Sequence, residues 1–264
     1  MATSVPARPQ TESGAIDAFC DRLIATSGEL RRLLLVSKSV LTQVDDAPYL
    51  RYEDIPFDEA IVGDGLREVA EAARELAIVE PGAAATLDAV AADPTQIQRL
   101  THSWFSAAER FARVCQEMNL DESLARLALE VAAKPYVAAA ATALPPAVTT
   151  DHEPSGLCPW CGGAPDLAYL GESRGERNLV CGRCEMSWPV PRVGCPFCDN
   201  ADPSTLSYAQ SEDQGFRVYL CDACGRYLKT VDFRFAASEV PLYVYRLRTW
   251  TLDRIALADG YSCA

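Results

Sequence analysis

Residues 158–224 read CPWCGGAPDLAYLGESRGERNLVCGRCEMSWPVPRVGCPFCDNADPSTLSYAQSEDQGFRVYLCDAC. Four Cys-x-x-Cys pairs stand in this run: Cys158/Cys161, Cys181/Cys184, Cys195/Cys198 and Cys221/Cys224. Two residues between thiols let a tight turn aim both sulfurs at one ion, and two such pairs complete a tetrahedral site. Nineteen residues separate Cys161 from Cys181, and 22 separate Cys198 from Cys221, room for a hairpin in each case. Only ten lie between Cys184 and Cys195. The spacing predicts one site from Cys158, Cys161, Cys181 and Cys184, and a second from Cys195, Cys198, Cys221 and Cys224. A cross-braced pairing of the first pair with the third requires a more entangled path.

The two halves of the run form a degenerate repeat. Cys158-Pro159-Trp160-Cys161 and Cys195-Pro196-Phe197-Cys198 share the pattern Cys-Pro-aromatic-Cys, each followed by a turn-forming residue. Proline fixes φ and glycine permits positive φ, both of which a metal knuckle uses. Strand-like stretches lie between the knuckles at Leu167–Leu170, Leu179–Val180 and Phe216–Leu220. Structural disulfides are disfavoured by the odd total of eleven cysteines and by the CxxC spacing. A thioredoxin-type pair places its first cysteine at a helix N-terminus, whereas Cys158–Cys161 runs into Gly162-Gly163-Ala164-Pro165. A closed sulfur shell has no open position for catalysis. Sulfur-only tetrahedral ligation suits Zn²⁺ or a mononuclear iron of the rubredoxin kind.

These pairs, with Trp188 and Arg192 before the third, Tyr227-Leu228-Lys229 after the fourth, and the later Leu252-Asp253 and Gly260-Tyr261, make an ordered set from Cys158 to Tyr261. That set resembles the formate dehydrogenase accessory proteins of the FdhE type. The resemblance implies a cytoplasmic, non-catalytic maturation or assembly factor. Its partner would be the catalytic subunit of a respiratory formate dehydrogenase, bound before export and helped towards activation. It also implies rubredoxin-like iron in both sites, with zinc the alternative. Trp188, Arg192, Tyr227 and Lys229 become candidate partner contacts. Knuckle packing is the competing account for Trp188 and Tyr227, and offset of thiolate charge for Arg192 and Lys229. Relatives are expected to carry a longer tail after Tyr261.

The chain has 264 residues, 49% of them hydrophobic, with 24 basic and 37 acidic side chains and a net charge of −13. Filling two four-cysteine sites with divalent ions takes that to about −17, since each site adds about −2. Such charge repels nucleic acid and attracts basic segments. Residues 1–150 hold 13 basic and 22 acidic side chains, net −9, and residues 151–264 hold 11 and 15, net −4. The acidity therefore concentrates in the first half, which is offered as a surface for the twin-arginine signal of the exported enzyme. Residues 1–14 lack the apolar core of a secretory signal. The apolar run Tyr136–Leu144 is too short to span a bilayer, so no membrane insertion is expected and the cytoplasm is the expected compartment.

The predicted fold class is α+β: an all-helical N-terminal domain, two small rubredoxin-like or zinc-ribbon modules of four cysteines each, and a C-terminal helix. The boundaries are a disordered 1–14, helices over 15–143, a linker over 144–157, modules over 158–190 and 191–235, and a closing segment over 236–264. In the first half, Ile16, Phe19, Cys20 and Leu23 share one helical face that Gly28 interrupts. Leu66–Ala77 forms a helix ended by Pro81-Gly82. Asp93-Pro94 starts another, which carries its apolar stripe on to Cys115. Asp121 caps a helix that Pro135 kinks or splits. Glu53, Asp54, Asp58 and Glu59 form an acidic loop cluster, either a solvated face or a dock for a basic peptide. His102 reads as a surface histidine, and His152 as a stray ligand that the complete cysteine set makes unnecessary. Tyr227–Phe235 alternates as a strand and Thr249–Asp259 forms the closing helix. No P-loop, dinucleotide fingerprint or nucleophile elbow occurs. Two other classes stand beside the accessory factor: a rubredoxin-type electron carrier and a zinc-ribbon binding module.

Overall fold

The computed structural model describes residues 2–4, 10–34, 50–144, 156–212 and 214–263. His152 and most of the 144–157 segment lie outside the described residues. The chain divides into two units, Pro9–Pro145 and the remainder, Met1–Arg8 with Pro146–Ala264.

The first unit is all helix: α1 (Gln10–Leu34), α2 (Glu59–Glu75), α3 (Pro81–Ala91), α4 (Pro94–Ser106), α5 (Ala108–Glu117), α6 (Glu122–Ala132) and α7 (Lys134–Thr142). Caps set several of the starts. Asp58, Asp93 and Asp121 each accept backbone N–H groups of the first turn, at α2, α4 and α6, worth about 1 kcal/mol apiece. Asp58 is thereby used locally, as is Asp54, which pairs with Arg51. Half of the acidic loop cluster is therefore already engaged. α2 runs through the middle of the unit, burying Val62, Leu66, Val69 and Ala73. A Cβ on Gly65 would come within 2.7 Å of the Ala132 Cβ, so this glycine lets α2 and α6 touch. Cys20 and Cys115 are buried in the helical core, as their stripes predict.

Four local expectations fail for identifiable reasons. α1 passes through Gly28 without a break, because one glycine costs a helix interior only about 1 kcal/mol. Pro81 does not end a helix. It occupies the first turn of α3, where its missing N–H is harmless. The stripe from Ile97 to Cys115 is split at Ala107, which is extended (φ −154°, ψ 149°). His102 is half-buried with its ring edge-on to Tyr52 at 4.6 Å. Pro135 does separate α6 from α7.

The second unit is built on one seven-stranded sheet: β1 (Ala2–Ser4), β2 (Pro165–Leu170), β3 (Arg177–Cys181), β4 (Ser187–Val190), β5 (Leu206–Gln210), β6 (Phe216–Cys221) and β7 (Arg226–Asp232). Their spatial order is β1-β5-β6-β7-β2-β3-β4. β2-β3-β4 and β5-β6-β7 are two antiparallel meanders. They join where β2 runs parallel to β7, from Leu167 opposite Lys229 to Leu170 opposite Asp232. The degenerate repeat of the sequence is thus a repeat of structure, and one sheet runs through both copies. β1 adds in parallel to β5, and α1 begins at Gln10, so part of 1–14 carries secondary structure. β4 escapes sequence reading because Pro189 lies inside it. Proline is tolerated there since β4 is an edge.

Two short helices, α8 (Leu242–Arg248) and α9 (Trp250–Ala258), pack on the sheet. Tyr245 of α8 meets Leu167, Val180 and Val231. Leu252 and Ala256 of α9 meet Ala209, Val218 and Tyr227. Among the described residues no helix is long and apolar enough to cross a membrane.

Candidate metal centres

The same turn is made four times. In each Cys-x-x-Cys the residue after the second cysteine donates its N–H to the carbonyl of the first: Gly162 to Cys158 (2.8 Å), Glu185 to Cys181 (3.2 Å), Asp199 to Cys195 (3.0 Å) and Gly225 to Cys221 (2.9 Å). Each donor has positive φ: +68°, +62°, +56° and +66° respectively. Glycine enters that region freely, whereas a side chain costs about 1–2 kcal/mol. The two knuckles that lack glycine therefore carry strain. This turn leaves both sulfurs on its inner side.

Strands then bring knuckles together. Cys181 ends β3 and Cys221 ends β6, so each hairpin returns its second knuckle to the one that precedes the hairpin. Two groups result: Cys158, Cys161, Cys181 and Cys184, and Cys195, Cys198, Cys221 and Cys224, the sulfurs of each within 4.8 Å of one another. The cross-braced pairing does not form. In the first group Cys158 lies 3.5 Å from Cys184 and Cys161 lies 3.4 Å from Cys181, sulfur to sulfur. In the second, Cys195–Cys224 is 3.7 Å and Cys198–Cys221 is 3.8 Å. A tetrahedron with metal–sulfur bonds of about 2.3 Å has edges of about 3.8 Å, and disulfide sulfurs sit about 2.0 Å apart. Each group can hold a metal ion, the second at nearly the ideal edge and the first slightly contracted.

The two centres differ in surroundings. All four cysteines of the first are buried, whereas Cys198 of the second is exposed and Cys224 half-buried. Backbone N–H groups of Arg183 and Cys184 point at the Cys181 sulfur at 3.3 and 3.4 Å. Burial opposes ionisation of Cys181, but hydrogen bonds from Cys158, Cys161 and Cys184 outweigh it and hold this thiol well below its ordinary range. At Cys221 burial is likewise overcome, by the Cys224 N–H and the Asn200 amide, and its pKa falls to about 7. Burial instead pushes Cys195 up to about 12. One thiolate per centre is thus favoured by the protein alone. Cys158 and Cys184 in the first centre, and Cys224 with Cys195 in the second, are instead pushed upward, so a bound cation would favour their ionisation.

Buried charges fasten the helices to the knuckles. Arg246 of α8 donates twice to Asp166, just beyond the first knuckle, at 2.7 and 2.8 Å, and once to Glu185 of the second, at 3.2 Å. Lys229 donates to Asp253 Oδ2 (2.6 Å) and to the Arg246 carbonyl (2.9 Å), and the Tyr227 hydroxyl donates to Asp253 Oδ1 (2.8 Å). Tyr261 donates to Asp222 of the fourth knuckle. Trp188, Tyr227 and Lys229 are only 3–5% exposed, so of the candidate partner contacts Arg192 alone stands at the surface. Sequence reading found Lys229 and Asp253 as motif members but missed their pairing. It missed Asp166 and Arg246 altogether, since single charged residues in strands and helices have no spacing to betray a distant partner.

No family model matches the chain. Among curated proteins it is 30% identical over 116 residues to a Protein FdhE homolog of Stutzerimonas stutzeri, a match covering 42% of this chain and 37% of that one. It is 33% identical over 130 residues to the homolog of Edwardsiella ictaluri (48% and 42%), and 30% identical over 107 residues to Protein FdhE of Escherichia coli (40% and 34%). The match thus spans well under half of the length of these relatives. Among solved structures, the crystal structure of the FdhE protein from Pseudomonas aeruginosa superposes with a TM-score of 0.58 at 19% identity, covering 97% of this chain and 96% of that one. That likeness shows the fold.

Proposed function

From a chain that is FdhE-like in fold along nearly its whole length and similar to FdhE proteins in sequence over two-fifths to half of it, we propose an accessory factor for formate dehydrogenase maturation. It binds the catalytic subunit of a respiratory formate dehydrogenase in the cytoplasm and supports its activation before export. The observation that carries this reading is the pair of four-cysteine knuckle clusters set in that fold. A metal closed in by four sulfurs has no site for substrate, which suits a binding protein rather than an enzyme. The eight cysteines are proposed to hold two ions, iron in preference to zinc. Metal binding at such a site supplies on the order of 10 kcal/mol of folding free energy.

The client's twin-arginine signal is proposed to meet the acidic helical unit, where most of the negative charge lies. The test is co-purification of the full chain with the catalytic-subunit precursor, followed by titration with the signal peptide at rising salt. Stable capture of the precursor and a salt-sensitive affinity are expected. Failure to capture the precursor from metal-replete protein removes the reading. Capture that ignores both the signal and salt removes only the signal.

A second reading has one observation in its favour. Cys198 is exposed, so iron in the second centre would lie close to solvent, where a redox partner could approach it. Reversible bleaching of visible absorption on reduction would support an electron carrier. The net charge of −13 weighs against a nucleic-acid-binding ribbon.

A further inference from the structure

A cavity of about 360 Å³ lies beside the second centre, and its lining includes Arg177, Arg192, Arg217 and Arg226 together with Tyr208 and Tyr219. No carboxylate is among the described residues that line it, although the chain as a whole is strongly acidic. Arginine clusters without acids are where anions bind, because the guanidinium fork matches phosphate and carboxylate oxygens.

The arginines are not equivalent. Arg217 pairs with Asp232, 3.0 Å away and itself fully buried, and shares that carboxylate with Arg234. Arg177 is only 4% exposed, and no ion pair joins it to a carboxylate among the described residues. One of its N–H groups donates to the Gly194 carbonyl at 2.8 Å, while its Nε is buried with no hydrogen-bond partner. A buried, uncompensated guanidinium is costly. Arg192, which donates to the Gly175 carbonyl, also has no acid partner among the described residues. These two alone contribute about +2 to the cavity wall, enough to match a phosphate monoester, which carries about −1.5 to −2 near neutrality, and Arg226, with no ion pair to a carboxylate among the described residues, adds to it.

The walls are aromatic. The Tyr208 and Tyr219 rings lie 5.5 Å apart, with Arg217 5.5 Å from the first ring and Arg177 5.4 Å from the second. Arg226 covers Phe197 at the rim. A cavity of this volume is at the small end of the range for small-molecule pockets. We propose that it binds a small phosphate monoester bearing a planar ring, the phosphate on Arg177 and Arg192 and the ring against the tyrosines. This site is independent of the maturation role. The competing account is that the arginines only balance the thiolates of Cys195 and Cys221, which also line the cavity.

Calorimetric titration of the metal-loaded full chain separates the two. The probes are adenosine monophosphate and phenyl phosphate, with adenosine and phenol respectively, and orthophosphate for both, as their halves. One monoester is expected to bind saturably, one per chain, and about tenfold or more tighter than either of its halves or orthophosphate. Arg192→Gln, at the surface and with metal content unchanged, should weaken it about tenfold or more. Arg177→Gln should abolish it. Should Arg177→Gln fail to fold, Arg192→Gln decides alone. Binding of neither monoester at millimolar concentration overturns the proposal. So does a half that binds as tightly as the whole, or an Arg192→Gln variant of full affinity.

Discussion

Lys229 and Asp253 form an ion pair of 2.6 Å between the middle of β7 and α9, with Tyr227 bonded to the other oxygen of the same carboxylate. Lys229 is almost fully buried and Asp253 partly so. Removing one partner of such a pair leaves a charge desolvated without compensation. Lys229→Met should cost about 2–4 kcal/mol, and the double change Lys229→Met with Asp253→Leu should recover much of it. Denaturant midpoints of the single and double variants check this. A double variant as unstable as the sum of its singles would show that the pair is not coupled.

The two centres should lose metal at different rates. Cys198 is exposed, whereas every cysteine of the first centre is buried. Metal release to a coloured chelator should run in two phases of equal amplitude. Cys198→Ser should remove the fast phase and halve the metal content, and Cys181→Ser should remove the slow one. A single phase in the wild-type protein would contradict the difference in exposure.

Knuckle strain is testable by exchanging side chains at positive φ. Asp199 has φ +56° and Gly162 has φ +68°. Asp199→Gly should be neutral to stabilising by up to about 1 kcal/mol, and Gly162→Ala destabilising by about 1–2 kcal/mol. The thermal midpoint of metal-loaded Asp199→Gly should hold or rise, and that of Gly162→Ala should fall. A common direction would show that φ is not the governing factor.

Asp232 gives a pH signature. Burial raises its pKa, but the hydrogen bonds and charge of Arg234, with Arg217, more than reverse that and hold it below the usual carboxylate value. A folded-state pKa below the unfolded one of about 3.9 means that the stabilisation is fully present above the unfolded value. It is lost as pH falls through the depressed value, when the folded carboxylate takes up its proton. The stability difference between the wild-type chain and Asp232→Asn should therefore be constant from about pH 7 to about 5 and shrink below about pH 4. A difference that grows towards acid would invert this assignment.

Much of the cysteine-rich half was legible beforehand because its determinants are short-range. A two-residue spacer forces a turn, and a hairpin-length gap returns the next pair, so the division into two groups of four follows from local chain geometry. Helix starts at Asp93 and Asp121 are local in the same way. Errors fell where a local signal had two readings. Pro81 marks a helix end as readily as a helix beginning. Pro189 argues against a strand only if that strand is not an edge.

By itself, then, the sequence determined the two four-cysteine groups, the helical character of the first half and the acidic balance between halves. Each depends on residues a few positions apart or on composition. Tertiary structure alone decided that β2 and β7 pair to merge two repeats into one sheet, that Arg246 reaches Asp166 across 80 positions, and that arginines from β3, β6, β7 and the loop after β4 share one cavity. Those arrangements arise from contacts between distant segments. A charged residue destined for such a contact looks, in the sequence, like any other on a solvated surface.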